Sequence, residues 1–307
     1  MLNKQKILIT GAGGFIGRHL CKYFTEANYD VIALVNLNTD VLGISARRTF
    51  TLQLPDADFN RLINLEKPDY LLHCAGTSSV AESFRHPEDD YTNNVVVTRF
   101  ILNALKDYSN KTKLVFFSSA AVYGNQDKFP IDSESPAQPI SPYGYHKLLC
   151  EMLCQQYWKL FNIQTSILRI FSVYGPGLKK QILWDMYNKA LRSDVILLDG
   201  TGEEVRDFIY IHDLVKIVYE IIIKPGFNAN IINVGTGRSV TIENLARLFM
   251  EVSGTASAIQ FSGESRRGDP ASWYLQFDGF MSQLTIPWME LKSGITNYLE
   301  WLKHDTS

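Results

Sequence analysis

Residues 6–20 read KILITGAGGFIGRHL, and this run restricts the fold more than any other in the chain. A short apolar strand ends in glycines at 11, 13, 14 and 17, and a helical pattern follows without a break. Gly11 permits a tight turn, Gly14 lets backbone N–H groups approach a ligand, and the helix start adds partial positive charge; together these suit a pyrophosphate. The spacing is Gly11-x-x-Gly14-x-x-Gly17, because Ile16 stands where a GxGxxG pattern would have its last glycine. The alternation continues downstream. Strands are expected at 6–10, 31–35, 69–76, 113–119 and 165–171, with helices at 15–27, 58–66, 91–107 and 142–161. Such alternation predicts βαβ units and a parallel sheet covered on both faces. After about residue 172, clusters of Gly, Pro and charge interrupt shorter elements, although IINVGTG (231–237) again reads as a buried strand returning to the sheet. The expected division is therefore residues 1–172, with strand return near 205–237, and a smaller lobe formed mainly by 173–307.

With 46% hydrophobic and 20% charged residues, a packed globular chain is expected and disorder is excluded. A formal net charge of −2 supplies no field for nucleic acid or an anionic membrane. There is no run of 18 apolar residues, and MLNKQKILIT leads into the first strand without a signal-peptide core, so a cytoplasmic protein with no membrane partner is expected. Cys21, Cys74, Cys150 and Cys154 do not make a disulfide framework in a chain of 307 residues. His146, Cys150 and Cys154 recur every four residues, but no fourth ligand is nearby and no metal is expected.

Two further stretches carry chemistry. An NAD-preferring site commonly has a carboxylate at the end of its second strand, where DVIALVNLN instead presents Val35 and Asn36. With no carboxylate to repel a 2′-phosphate, and with Arg18, Arg47 and Arg48 as candidate partners for one, NADP(H) is favoured slightly over NAD(H). In SPYGYHKLLCEMLC (141–154), Ser141 is a good N-cap and Pro142 a good first helical residue. Tyr143 and Lys147 then lie one turn apart on a shared face.

In combination these segments resemble the extended short-chain dehydrogenase/reductases that act on nucleotide-activated sugars. The matching motifs are TGAGGFIG (10–17), HCAG (73–76), YTNNV (91–95), SSAAVYG (118–124), SPYGYHK (141–147), LRIFSVYGPG (168–177), RDFIYIHDLV (206–215) and RRGDP (266–270), in the family's order and across nearly the whole chain. The resemblance implies an α/β fold with a Rossmann-type doubly wound parallel sheet and a smaller C-terminal substrate-binding lobe. It implies catalysis by Tyr143 as general acid/base, Lys147 as the cation that favours its phenolate, and Ser119 as hydrogen-bond donor to the reacting oxygen, with Ser118 as the alternative serine. Cofactor contacts are implied for Gly11, Gly13, Gly14, Phe15, Ile16 and Gly17, for Asn36, Ala75, Gly76 and Asn94, and for Tyr143 and Lys147. Asn94 is expected to order the backbone rather than to do chemistry. Substrate contacts are implied for Ser79, Ser172, Gln181, Arg206, Arg266 and Asp269, the arginines suiting a nucleotide diphosphate.

Departures from the family bear on the reaction. Ala120 and Ala121 stand where sugar 4,6-dehydratases carry Asp and Glu, so dehydration is disfavoured. Ser172 stands where many relatives have an asparagine on the substrate phosphate, which puts the usual substrate assignment in doubt. The expected activity is that of a 4-ketoreductase on a 4-keto sugar, with a 4-epimerase retaining NAD or a 4-dehydrogenase as alternatives. A non-catalytic nucleotide-binding scaffold is the alternative of another class, against which the intact Ser119, Tyr143 and Lys147 argue. The helices at 91–107 and 142–161 resemble the family's four-helix interface and imply a homodimer.

Overall fold

The computed structural model describes residues 4–224, 226–277 and 279–305. They form two compact units: one of residues up to Val122, Pro139–Ile170 and Val215–Ile232, the other of Tyr123–Gln138, Phe171–Leu214 and Asn233 onward. Residues 123–138 group with the second unit rather than the first, while 215–232 group with the first, inside the stretch 205–237 where a return was expected.

The first unit follows the alternation of its sequence. It contains β1 (Lys6–Thr10), α1 (Phe15–Glu26), β2 (Asp30–Val35), β3 (Arg48–Thr51), α2 (Ala57–Glu66), β4 (Tyr70–His73), α3 (Val80–Arg85) and α4 (Pro87–Tyr91). There follow a π turn at Thr92–Val96, α5 (Val97–Tyr108), β5 (Lys113–Ser119), α6 (Pro142–Phe161), β6 (Thr165–Ile170) and a last strand, Asn228–Val234. The sheet order is Asn228–Val234, β6, β5, β4, β1, β2, β3, and the ladders from β3 to β6 are all parallel. The chain winds outward from β1 to β3, then crosses to β4 and winds the other way. Strand order therefore reverses between β1 and β4, where a crevice opens at the carboxyl ends of the strands.

Burial explains why these strands read as apolar runs. Leu8, Ile32, Leu71, Phe116 and Ile167 turn to one face and pack with α2, α5 and α6 through Phe59, Ile63, Ile101, Leu105 and Cys154. Their neighbours Ile7, Ile9, Ala33, Leu72 and Val115 point the other way and are fully buried too. Helix ends follow local chemistry: Asp56 caps α2 by accepting from Asp58 N at 2.7 Å, and α6 stops at Asn162 in the left-handed region, φ 56°.

Several elements differ from the sequence reading, among them the short helices α3 and α4, which were not expected. β3 was not expected, since RTFT is half polar and only four residues long. The helix expected at 91–107 begins instead as the π turn, because the Asn94 side-chain amide donates at 3.0 Å to the Asp90 carbonyl, the group that an α-helix would give to Asn94 N–H.

The second unit is built from small pieces. Val205–Tyr210 is the middle strand of three, antiparallel to Ser239–Thr241 and parallel to Ser172–Tyr174. Ala258–Phe261 pairs in parallel with Val195–Leu198, and helices Gln181–Ala190, Ile242–Ser253 and Leu291–Asp305 complete the unit. Among the described residues no helix is long and apolar enough to cross a membrane.

Candidate active site

The glycine turn between β1 and α1 is shaped by close approach. Gly11 has φ +66°, and a Cβ there would come 2.6 Å from Ala75 N. A Cβ on Gly17 would lie 2.2 Å from the Gly11 carbonyl oxygen, so a glycine is required for α1 to press against the turn. No side chain caps α1 and no acidic residue stands in its first turn, which leaves its terminal N–H groups available to an anion. The glycine turn just before the helix borders a hollow of about 310 Å³, lined by Gly11, Gly13, Gly14, Asn36, Ala75 and Gly76 among others. Sequence reasoning missed Thr39, Gln53, Leu54, Cys74, Thr77 and Asn93 on the same wall. Gln53 and Leu54 follow β3, so finding that strand was the signal that would have located them. Phe15, Ile16 and Gly17 are not on the lining: Phe15 meets the His19 ring at 5.5 Å and Gly17 is buried beneath the turn. A pyrophosphate between these amides, with an adenosine toward Asn36 and Gln53, fits the residues present.

The three arginines considered for a 2′-phosphate are engaged elsewhere, a correction with a clear cause. Arg18 reaches from α1 to the loop after β2, donating to the carbonyls of Gly13 (3.0 Å), Leu42 (2.7 Å) and Asp40. This draws the loop across the turn until the Thr39 methyl sits where a Gly13 side chain would be. Arg47 and Arg48 lie at the start of β3, and in a parallel sheet that is the amino edge, remote from the crevice. Arg47 pairs with Asp30 and Arg48 with Glu66, which also takes a bond from Lys6 Nζ at 3.3 Å. Burial alone would push the Glu66 pKa up, but hydrogen bonds from Arg48 and Lys6 outweigh it and hold the carboxyl below its ordinary range.

On the other side of β1 the first turns of α6 carry Tyr143 and Lys147. Ser141 Oγ accepts from Gly144 N at 3.1 Å, and the Tyr143 amide donates to Ser83 Oγ of α3 at 3.1 Å. A Cβ on Gly144 would fall 2.5 Å from the Ala121 carbonyl oxygen, so this glycine lets α6 press against the turn that follows β5. Lys147 is 6% exposed, its ammonium 5.9 Å from the Tyr143 ring centroid and 5.1 Å from that of Phe116. It donates to the Phe117 carbonyl at 3.1 Å, and no carboxylate pairs with it among the described residues. Two of its three N–H donors are thus left for a ligand. The same charge adds to burial in lowering the pKa of His73 to about 3. Neutral His73 bridges Thr10 Oγ1 (2.9 Å) and Thr98 Oγ1 (3.1 Å), which ties β4 to β1 and α5.

The two candidate serines at the end of β5 have different surroundings. Ser118 is buried and donates to Glu151, which also receives Arg169 Nε at 3.0 Å and Nη2 at 2.7 Å. Ser119 points to the opposite face, is half-buried, and accepts from Ala121 N at 3.1 Å. Asn94 Nδ2 donates to Thr77 Oγ1 at 2.7 Å, and its Oδ1 lies 2.6 Å from where a Gly76 Cβ would be. It orders the loop and does not line the hollow. Ser79 caps α3 by accepting from Glu82 N at 3.2 Å.

The substrate candidates of the second unit are held by neighbours of their own. Arg206 donates to the carbonyls of Val205 (2.8 Å) and Pro270 (2.7 Å) and lies 5.1 Å over the Trp273 ring; burial lowers its pKa. Arg266 is exposed on an ion pair with Asp199, and Asp269 is exposed beside it, its amide on the Arg266 carbonyl at 3.1 Å. Gln181 opens its helix with φ 68°, and Ser172 begins the outer strand of the small sheet. Asp207 is buried and accepts from Thr236 N at 2.8 Å and Oγ1 at 3.0 Å, so it orders the following loop. Among the described residues there is no cluster of metal-ligating side chains.

Known proteins share this fold. A protein of Methanocaldococcus jannaschii provisionally named UDP-glucose 4-epimerase is 32% identical over 311 residues, 97% of this chain and 99% of that one. The structure of UDP-glucose 4-epimerase from Thermotoga maritima with UDP-glucose superposes with a TM-score of 0.89 at 28% identity, covering 99% of this chain and 100% of that one. UDP-glucuronic acid 4-epimerase from Bacillus cereus, with UDP-glucuronic acid and NAD, gives 0.87 at 27% identity over 98% and 99% of the two chains. The profile of the NAD dependent epimerase/dehydratase family matches residues 7–235, more than half of the sequence. The chain is an enzyme of that family.

Proposed function

We propose that the protein is a nucleotide-sugar 4-epimerase that keeps NAD(H) bound. The observation that carries this reading is the buried Lys147 ammonium, with donors to spare, 5.9 Å from the ring of Tyr143. The Tyr143 hydroxyl oxygen has no hydrogen-bond partner among the described residues; as phenolate it would take the proton of a sugar hydroxyl, and as phenol it would return it. Positive charge from Lys147 favours the negative charge that develops on the phenol oxygen, and its remaining donors suit a ribose. Ser119 hydrogen-bonds the reacting oxygen as its charge changes. A bound nicotinamide would supply the hydride acceptor. Ala120 and Ala121, both buried, have no group to remove a proton or protonate a leaving hydroxyl, which speaks against dehydration.

The preference for a ketoreductase and NADP(H) rested on the missing carboxylate after β2 and on three arginines; the arginines have other partners, and the relatives described above carry the name of 4-epimerases. Arg206 and Arg266, with Asp269, Ser172, Ser79 and Gln181, are proposed to hold the nucleotide diphosphate sugar. A homodimer through α5 and α6 is proposed on the exposed stripe of Tyr145, Leu149 and Met152, which share one face of α6. A location in the cytoplasm is part of the same reading.

The test is to denature the purified protein, identify the nucleotide released, and assay UDP-glucose interconversion. Retained NAD with interconversion is expected. Released NADP, with reduction of a 4-keto sugar and no interconversion, would reinstate the reductase, a reading that the missing carboxylate at Asn36 still favours.

A further inference from the structure

Asp90, at the end of α4, is 3% exposed, and no arginine or lysine touches its carboxylate among the described residues. Three donors satisfy it instead. Oδ1 accepts from Thr77 Oγ1 and from Asn94 Nδ2 (3.2 Å); Oδ2 faces His146 Nδ1 at 2.6 Å. An ionised carboxylate only accepts, so Nδ1 carries the proton and donates. The imidazole also meets the Tyr91 ring edge-on at 5.4 Å, which fixes its plane. The partners lie on opposite sides of the chemistry. Thr77 lines the hollow beside the glycine turn, whereas His146 directly precedes Lys147 and is one turn from Tyr143.

One buried carboxylate therefore joins the loop bordering the dinucleotide hollow to the helix with the phenol and the ammonium. We propose that Asp90 and His146 form a positioning pair that holds the first two turns of α6 in register with the 76–79 loop. The pair touches no reacting atom. It sets how far Tyr143 and Lys147 stand from a dinucleotide, and the inference rests on the function proposed above. A carboxylate suits this task because leaving any of its buried acceptor sites unfilled is unfavourable, so neither side of the link moves without the other.

The link is tested by a double-mutant cycle on the full chain, with Thr77→Val cutting one arm and His146→Ala the other. NAD binding, UDP-glucose turnover and amide hydrogen exchange are measured on each. His146→Ala is expected to lower kcat about tenfold with KM for UDP-glucose nearly unchanged, since small misplacements of catalytic groups act on the rate. It is also expected to speed exchange at residues 76–79, across the link from the substitution. The double variant is expected to be no slower than the worse single one, because either cut severs the same connection. His146→Asn, whose amide nitrogen replaces Nδ1–H, should restore most of the rate. Unchanged exchange at 76–79 in His146→Ala, or losses that multiply in the double variant, would overturn the inference. If the wild type does not convert UDP-glucose at all, the epimerase reading fails on that substrate, while NAD affinity and exchange at 76–79 still decide the link.

Discussion

The carboxyl edge of the first unit and the arginine-bearing loops of the second hold their cations in opposite ways. Lys147 is buried, yet the protein gives it a single carbonyl, so most of its bonding capacity is reserved. Arg206 lies on carbonyls and an indole, and Arg266 gives its Nε–H to Asp199, so each already has a protein partner. A cation kept short of partners is poised for chemistry at one atom; a cation with partners serves binding, where a phosphate adds to or displaces what is there.

The strongest way to break this comparison is at Tyr143. Tyr143→Phe should reduce turnover about a thousandfold while NAD still binds, checked by steady-state kinetics and NAD titration. Lys147→Met should follow at about a hundredfold and also weaken NAD binding, because it removes a ribose donor as well as the charge. In the second unit the readout should shift from kcat to KM. Arg206→Gln is expected to raise KM for UDP-glucose about tenfold, by losing a charge-assisted phosphate contact, with kcat little changed. Arg266→Ala should matter least, within about threefold in KM, since an exposed arginine is screened by water. If Lys147→Met changed only KM, the contrast between the two regions would be lost.

A control away from both regions uses Glu66, whose folded pKa is depressed. Its contribution is present above the unfolded carboxylate range and is lost as pH falls through the folded pKa. Glu66→Gln should therefore destabilise the protein at pH 7 by about 2 kcal/mol, and the difference from wild type should shrink below about pH 4, measured by urea unfolding.

The parts that could be read in the sequence were those with local causes. The strand, glycine turn and helix at 6–26 follow from spacing, and α6 follows from Ser141 and Pro142. β3 was hidden because its RTFT pairs through backbone groups with β2, which composition does not reveal. The different surroundings of Ser118 and Ser119 were equally hidden, since what engages Ser118 is a carboxylate at 151 that a guanidinium at 169 also holds. The arginines misled for the same reason. Proximity along the chain placed them near the cofactor strand, whereas the parallel register put two of them at its far end.

The attachment of Arg18 carries one more consequence. All three of its acceptors are main-chain carbonyls, which every residue type possesses. Leu37, Val41 and Leu42 in the strap it secures are exposed, so their side chains are free to drift in evolution without undoing the roof over Gly13. A change at position 18 would instead unlatch the whole segment at once, which makes a helix residue, and not the strap itself, the keeper of that wall.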